Sequence, residues 1–302
     1  MLNLQQNFKD IFGVDALPAL DEVMLDAYQS AEDPRAMLFS MDSTDREIKQ
    51  YSSITSLGTF NVTGEAEQAA KEDFNQSYNK THTIIKYAKA IGISDEMIAD
   101  ARFDIIQKMV RSLGRSARET QLITAMNIYN NSFSTATSWD GVALISSAHP
   151  SPIGNQSNSL GTVDIAYSTL QTAEQTLRKT QDQAGKRLYI RPSVVVVPEE
   201  SRHVACEYVK SPYKADVANN NINSLGMDGG LTVVSSPFIT DPDAFWVQSK
   251  PEDHGLMILD REALSQKMHE DVLAGVLYYV ANYRQSVDIN DWRGIVGTAG
   301  NG

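Results

Sequence analysis

One cysteine, Cys206, stands in a chain of 302 residues. A single thiol closes no internal disulfide, so the sequence fits a reducing compartment. It falls in the helical run HVACEYV, where a small buried apolar residue suits the pattern. No stretch approaches the roughly 18 consecutive apolar residues of a membrane span. The first residues, MLNLQQNFKDIFG, lack the basic-then-apolar order of a secretory signal, and the chain reads as cytosolic. Positive charge is scarce: 26 Lys and Arg face 38 Asp and Glu, a formal net charge of −12. Such a chain is soluble and self-repelling, and it lacks the basic surface that tight nucleic-acid binding uses to displace counterions. It can lie beside DNA without gripping it.

Legible catalytic chemistry is also missing. The five histidines never fall at the i, i+4 spacing of a helical metal site, and the closest two, His254 and His269, are 15 residues apart. A metal centre would have to be assembled from distant residues such as His149, His203 and His254. There is no G-x-S-x-G elbow, and no nucleophile motif surrounds Cys206. Gly226-Met-Asp-Gly-Gly230 lacks the Lys-Ser/Thr that completes a phosphate loop, and reads as a turn before a strand. Glu252-Asp253-His254 reads as a solvated cluster near a turn. His149-Pro150 reads as structural, since proline biases the residue before it to an extended conformation. Neither a catalytic group nor a cofactor site is expected.

What the chain does contain is surface-exposing structure. Its length implies two packed units, or one domain with large excursions. Residues 1–43 carry scattered anchors (Phe8, Ile11, Phe12, Leu17, Leu20) and read as an arm that packs on the body or on a neighbouring subunit. Residues 44–93 read as a β excursion. Ile54, Leu57, Phe60 and Val62 mingle with Ser and Thr in a strand-like composition, the tip Gly64–Asp73 is small and charged, and a return strand alternates at period two from Thr81 to Ala88. From Ser94 to Asn131 the spacing predicts one helix. Ser94 caps it, Asp95 and Glu96 sit in its first turn, Ile98, Ile105, Ile106, Met109, Val110, Leu113 and Ala117 form its stripe, and Arg111, Arg115 and Arg118 its polar side. At 1.5 Å per residue it would reach roughly 55 Å, the length of a scaffold helix. Gly114 would permit a bend or a close contact.

Trp139–Pro150, WDGVALISSAHP, follows that helix directly: a turn, a short apolar run and a His-Pro stop. A Ser/Asn/Gly-rich loop leads to a helix capped by Asp164 and ended by Ala184-Gly185. Val194–Val197 reads as a buried strand, with Pro198 opening the next helix. Residues 211–230 read as a long loop, of a length that is either functional or disordered. Leu231–Val234, Ala244–Val247 and Gly255–Leu259 read as short strands, Val272–Val287 as apolar and β-prone, and Trp292–Gly297 as a closing strand before a Gly-rich tail with few contacts. A scaffold helix, a long hairpin, an arm and a large loop all need partners, which favours a self-assembling structural protein over an enzyme.

In order along the chain come the hairpin, Ile91-Gly-Ile-Ser94 before the long helix, Trp139-Asp-Gly141 with His149-Pro150, and the helix from Asp164. Gly185-Lys-Arg-Leu-Tyr-Ile-Arg-Pro192, the strand closed by Pro198, and Asp291-Trp-Arg-Gly294 follow. Over roughly residues 44–297 this ordered set resembles the major capsid proteins of tailed phages with the Hong Kong 97-type fold, and most the Mu-like major head subunit group. The resemblance implies an α+β fold with an N-terminal arm (1–43), an extended loop (44–93), a peripheral domain with the spine helix (94–156), an axial domain (157–258) and a return to the peripheral domain (259–302). It implies hexamers and pentamers closing an icosahedral shell around double-stranded DNA, assembled in the bacterial host cytoplasm. It also implies a separate scaffold or maturation protease, a portal and room for a decoration protein, with no membrane. Ile54, Leu57, Phe60 and Val62 would be inter-subunit contacts, and loop 211–230 would face the capsomer axis. Two alternatives remain open at this point: an encapsulin-type compartment shell, and a metal-dependent hydrolase using His149, His203 and His254.

Overall fold

The computed structural model describes residues 16–54, 62–65, 68, 71, 76–100, 102–214, 221–227, 230–271 and 273–301. In chain order the elements are α1 (Ala16–Gln29), α2 (Arg35–Leu38), β1 (Ser40–Ser43), β2 (Ile48–Ile54), β3 (Gln76–Thr83), β4 (Ile85–Ser94), α3 (Asp95–Ala99) and α4 (Phe103–Asn130). Then follow α5 (Tyr167–Lys179), β5 (Pro192–Pro198), α6 (Arg202–Lys210), α7 (Ser224–Met227), β6 (Thr232–Ser236), β7 (Phe245–Ser249), β8 (Leu256–Asp271), β9 (Val276–Ile289) and β10 (Ile295–Thr298). Two four-stranded sheets form, ordered β1-β8-β9-β4 and β10-β7-β5-β6, and β2 pairs only with β3.

The spine is α4, and it serves two of three cores. Its first half lays Ile106, Val110 and Leu113 against Leu20 and Met24 of α1 and against Leu277 and Tyr279 of β9. Its second half lays Ala125, Met126 and Tyr129 against Val194, Val196 and Trp246 of the second sheet. The opposite face of that sheet, Val195, Val197 and Phe245, takes Leu170, Ala173 and Leu177 of α5 and Ala205 and Val209 of α6. Both faces are covered, so the Val194–Val197 run is continuous instead of alternating. Gly114 is required where α1 crosses α4: a Cβ there would stand 2.5 Å from the Met24 carbonyl oxygen.

The helix expected as one piece is two. Ser94 caps α3 as anticipated, its Oγ accepting from the Met97 N–H at 3.3 Å. The chain then turns out, with Asp100 N donating to Glu96 O and Arg102 N to Met97 O. Ile98 and Ile106 enter the same core on either side of the break, so the apolar period runs across it. The unbroken part, 28 residues, is about 42 Å long. Ile105, assigned to the stripe, is exposed, while Arg118, assigned to the polar side, is buried. The Arg118 Nη1 reaches Asp33 Oδ2 at 2.5 Å and its guanidinium lies 3.9 Å from the Tyr28 ring centre.

The return strand also divides. Residues 76–83 stay with β2, whereas 85–94 join β9, so the free hairpin spans Ile48 to Thr83. Alternation shows which residues face together but not which strand lies beside them. Further along, Asp164 does not cap α5. The turn begins at Ala166, whose N–H donates to Thr169 Oγ1 at 2.8 Å, and Asp164 Oδ1 accepts from Asn301 N at 2.8 Å. The tail is therefore tied down, contrary to its composition. Helix α5 ends at Lys179, before Ala184-Gly185, which lie in a turn whose amides of Ala184 and Lys186 donate to Asp182 Oδ1. Pro198 closes β5, and α6 begins at Arg202. The short strand and the apolar run expected near the C-terminus are two long antiparallel strands, β8 and β9. Cys206 is half-buried.

Candidate functional site

Three motifs far apart in sequence converge after the spine helix. Asp140-Gly141 turns with Gly141 at φ +77°, and Val142 N donates to Asp140 Oδ1 at 3.1 Å. The other Asp140 oxygen lies 2.7 Å from His149 Nδ1. His149 Nε2 lies 3.1 Å from Asn158 Oδ1. The Asn158 amide nitrogen donates to Leu144 O at 2.7 Å and Ile295 O at 3.2 Å, which turns its oxygen toward the imidazole. The His149 ring stacks on Trp292, centroids 4.1 Å apart. Beside it, Arg293 spans the rings of Trp292 and Trp139, meets Asp291 at 3.2 Å and donates to Gln181 O at 3.1 Å. Burial raises the Asp291 carboxyl above its ordinary value, and Arg293 offsets part of that. Gly294 must be glycine: at φ +89° a Cβ would stand 2.8 Å from Asp253 O. The junction is a closed structural lock, with both imidazole nitrogens and the Asp140 carboxylate committed internally.

The free hairpin is rooted on the same junction. Lys80 Nζ donates to Thr137 O at 2.9 Å and pairs with Asp288 at 3.2 Å. His82 is fully buried, its Nε2 2.6 Å from Asn290 Oδ1, and Asn290 O accepts from Trp139 N at 3.4 Å. None of these root residues stands out in the sequence, because each contact joins positions far apart in the chain. Of the four expected contact residues, Ile54 ends β2 opposite Gln76, and Val62 is fully exposed. Leu57 and Phe60 lie outside the described residues.

The histidines do not converge as metal ligands. His149 is locked as above, His203 is exposed on α6, and His254 is buried with its Nδ1 accepting from Leu256 N at 3.1 Å. Among the described residues no three His, Cys, Asp or Glu side chains could hold a metal ion. Nor is any described helix long and apolar enough to cross a membrane. The cluster expected to be solvated at residues 252–254 thus contains a buried imidazole. Burial pushes its pKa down to about 4. The unfolded chain binds this proton more tightly than the fold does, so stability is complete above about pH 6.5 and falls toward pH 4. A shift of that size corresponds to about 3 kcal/mol. Urea unfolding of His254→Gln is expected to lack this component between pH 6.5 and 4; a variant with the wild-type pH slope would sink the assignment.

Residues 78–297 match the sequence model of a family described as phage capsid protein. The chain belongs to that family. It is a structural capsid protein and not an enzyme, with the α+β Hong Kong 97-type fold. The virus-like particle from Pyrococcus furiosus is similar at a TM-score of 0.60 and 8% identity, over 94% of this chain and 100% of that one. The bacteriophage JBD30 capsid gives 0.59 and 12% over 70% and 92% of the two chains. The capsid of Ralstonia phage GP4 gives 0.57 and 12% over 86% and 87%. No curated protein matches this sequence. The expectation of a tailed-phage major capsid protein is supported, and neither the compartment-shell nor the hydrolase alternative is favoured. The phage capsid protein family is matched as a whole, without distinction of a Mu-like group.

Proposed function

We propose that this capsid protein is the major head subunit of a tailed double-stranded DNA phage, of the Mu-like group. In this reading it forms the hexamers and pentamers of an icosahedral shell. The observation that carries the assembly mode is the hairpin: among the described residues β2 and β3 pair only with each other, they leave the body beyond the root contacts of Lys80 and His82, and Val62 is fully exposed to solvent. A two-stranded ribbon this long is marginal alone and gains stability by burial on a neighbour. Ile54, Leu57, Phe60 and Val62 would supply that contact. The arm is residues 1–43, the extended loop 44–93, the peripheral domain comprises 94–156 and 259–302, and the axial domain is 157–258, with residues 211–230, α7 among them, toward the capsomer axis. Packaged DNA would lie non-specifically on the inner face. A separate scaffold or maturation protease, a portal and a decoration protein would complete the head in the host cytoplasm.

Negative-stain microscopy of the purified chain, alone and with its scaffold, tests this directly. Replacing residues 55–75 by a short Gly-Ser link should leave the melting temperature near that of wild type and abolish shells. Shells of normal size from this variant would refute the role given to the hairpin, and a strictly monomeric wild type would refute the capsid reading.

A further inference from the structure

The chain is strongly acidic, yet one region reverses the sign. A cleft of about 380 Å³ between α5 and the second sheet is lined by Arg178, Arg191 and Lys250 and by the ring of Tyr189. Lys179, Lys186 and Arg187 stand on the end of α5 and on the turn that leads from it to the cleft. All six cations are exposed. Among the described residues, carboxylates also lie here. Glu174 is taken by Arg178 at 2.6 Å, Asp182 is turned inward to the amides of Ala184 and Lys186, and Asp253 lines the cleft. The other five cations form no ion pair among the described residues. Arg191 lies 5.6 Å from the centre of the Tyr189 ring, which is 90% exposed.

The opposite sign is concentrated on the hairpin tip. Gly64–Asp73, GEAEQAAKED, carries Glu65, Glu67, Glu72 and Asp73 against Lys71 alone. We propose that the acidic hairpin tip of one copy docks in the Arg178–Arg191–Lys250 cleft of a neighbouring copy. This rests on the capsid reading and adds the receiving surface and its chemistry. Copies with a net charge of −12 repel one another, so an assembly contact needs a local site of opposite sign. The hairpin is the element that projects, and the cleft supplies the complement.

Charge reversal in both partners tests the pairing. Arg191→Glu/Lys250→Glu in the cleft and Glu65→Lys/Glu67→Lys/Glu72→Lys in the tip should each keep the wild-type melting temperature and yield no sedimenting shells. The combined variant should restore them. Failure of the combination to restore shells overturns the proposal. So does a cleft variant that assembles normally and loses only retained DNA, since that result assigns the cleft to nucleic acid. A labelled peptide of residues 62–74 separates this from the capsid reading. Dissociated wild-type subunits should bind it about tenfold more weakly at 0.5 M than at 0.05 M NaCl, and the cleft variant about tenfold more weakly than wild type at low salt. Absence of peptide binding by wild type overturns the pairing even where shells form. Binding without shells upholds the pairing and counts against the capsid reading.

Discussion

Asp33→Ala is expected to lower the unfolding free energy by about 3–5 kcal/mol, read as a shift in the urea midpoint. Asp33 lies between two nearly buried guanidiniums. Arg35 meets it through Nε at 2.8 Å and Nη2 at 2.9 Å, and Arg118 through Nη1 at 2.5 Å. The Arg118 Nε donates to Tyr28 O at 3.3 Å, and the Tyr28 hydroxyl donates to Gln121 at 2.8 Å, so one carboxylate fastens the α1–α2 connection to the middle of the spine. Removing it leaves two desolvated cations without a counter-charge. Burial raises the Asp33 carboxyl pKa, but the bonds and charge of Arg35, with Arg118, outweigh this and hold it below the ordinary value. Its stabilisation is therefore complete above about pH 4 and lost as pH falls through the lower folded value. The alanine variant should show a correspondingly flatter acid limb. A midpoint unchanged at pH 7 would mean that water screens the cluster.

Trp246→Ala should cost about 3–5 kcal/mol, seen as a large drop in melting temperature. The indole is almost fully buried where α4 meets the second sheet. It stands edge-on to Tyr129 with centroids 5.3 Å apart, lies 6.0 Å from Phe133, and its Nε1 donates to the buried Ser132 Oγ at 3.1 Å. Truncation opens a cavity and strands that hydroxyl. The site is also too tight to shift: a Cβ on Gly297 would stand 2.6 Å from the indole. Full retention of the wild-type melting temperature would show that α4 and the sheet close over the gap. Against a total stability of roughly 5–15 kcal/mol, either substitution threatens the subunit before assembly begins.

Local signals made the spine, α5, α6, the buried Val strand and the Ser94 cap legible in the sequence, whereas α1, in the stretch read as an arm of scattered anchors, and the short α7, in the stretch read as a loop, were not. The break at residues 100–102 was hidden because both flanking helices feed one core. Much of β8 escaped because its last eleven residues, Arg261–Asp271, have no fully buried position and read as polar chain. Arg118 looked like a surface residue because its counter-charge is 85 positions away. The order of Trp139-Asp-Gly141, His149-Pro150 and Asp291-Trp-Arg-Gly294 was visible, but their meeting was not. Only the closed fold stacks His149 on Trp292. The lock at the hairpin root, Lys80 with Asp288 and His82 with Asn290, was equally out of reach.

The strand pairings set a timetable for synthesis. β1 at Ser40–Ser43 lies parallel to Met257–Asp260, and β10 at Ile295–Thr298 closes the second sheet on Phe245–Ser249. Neither sheet is complete until nearly the whole chain has left the ribosome, and pairings this distant in sequence form slowly. A growing polypeptide accordingly has no finished surface to offer a shell, and recruitment waits for release. Truncated translation products, which lack β10, would be unable to poison the growing lattice.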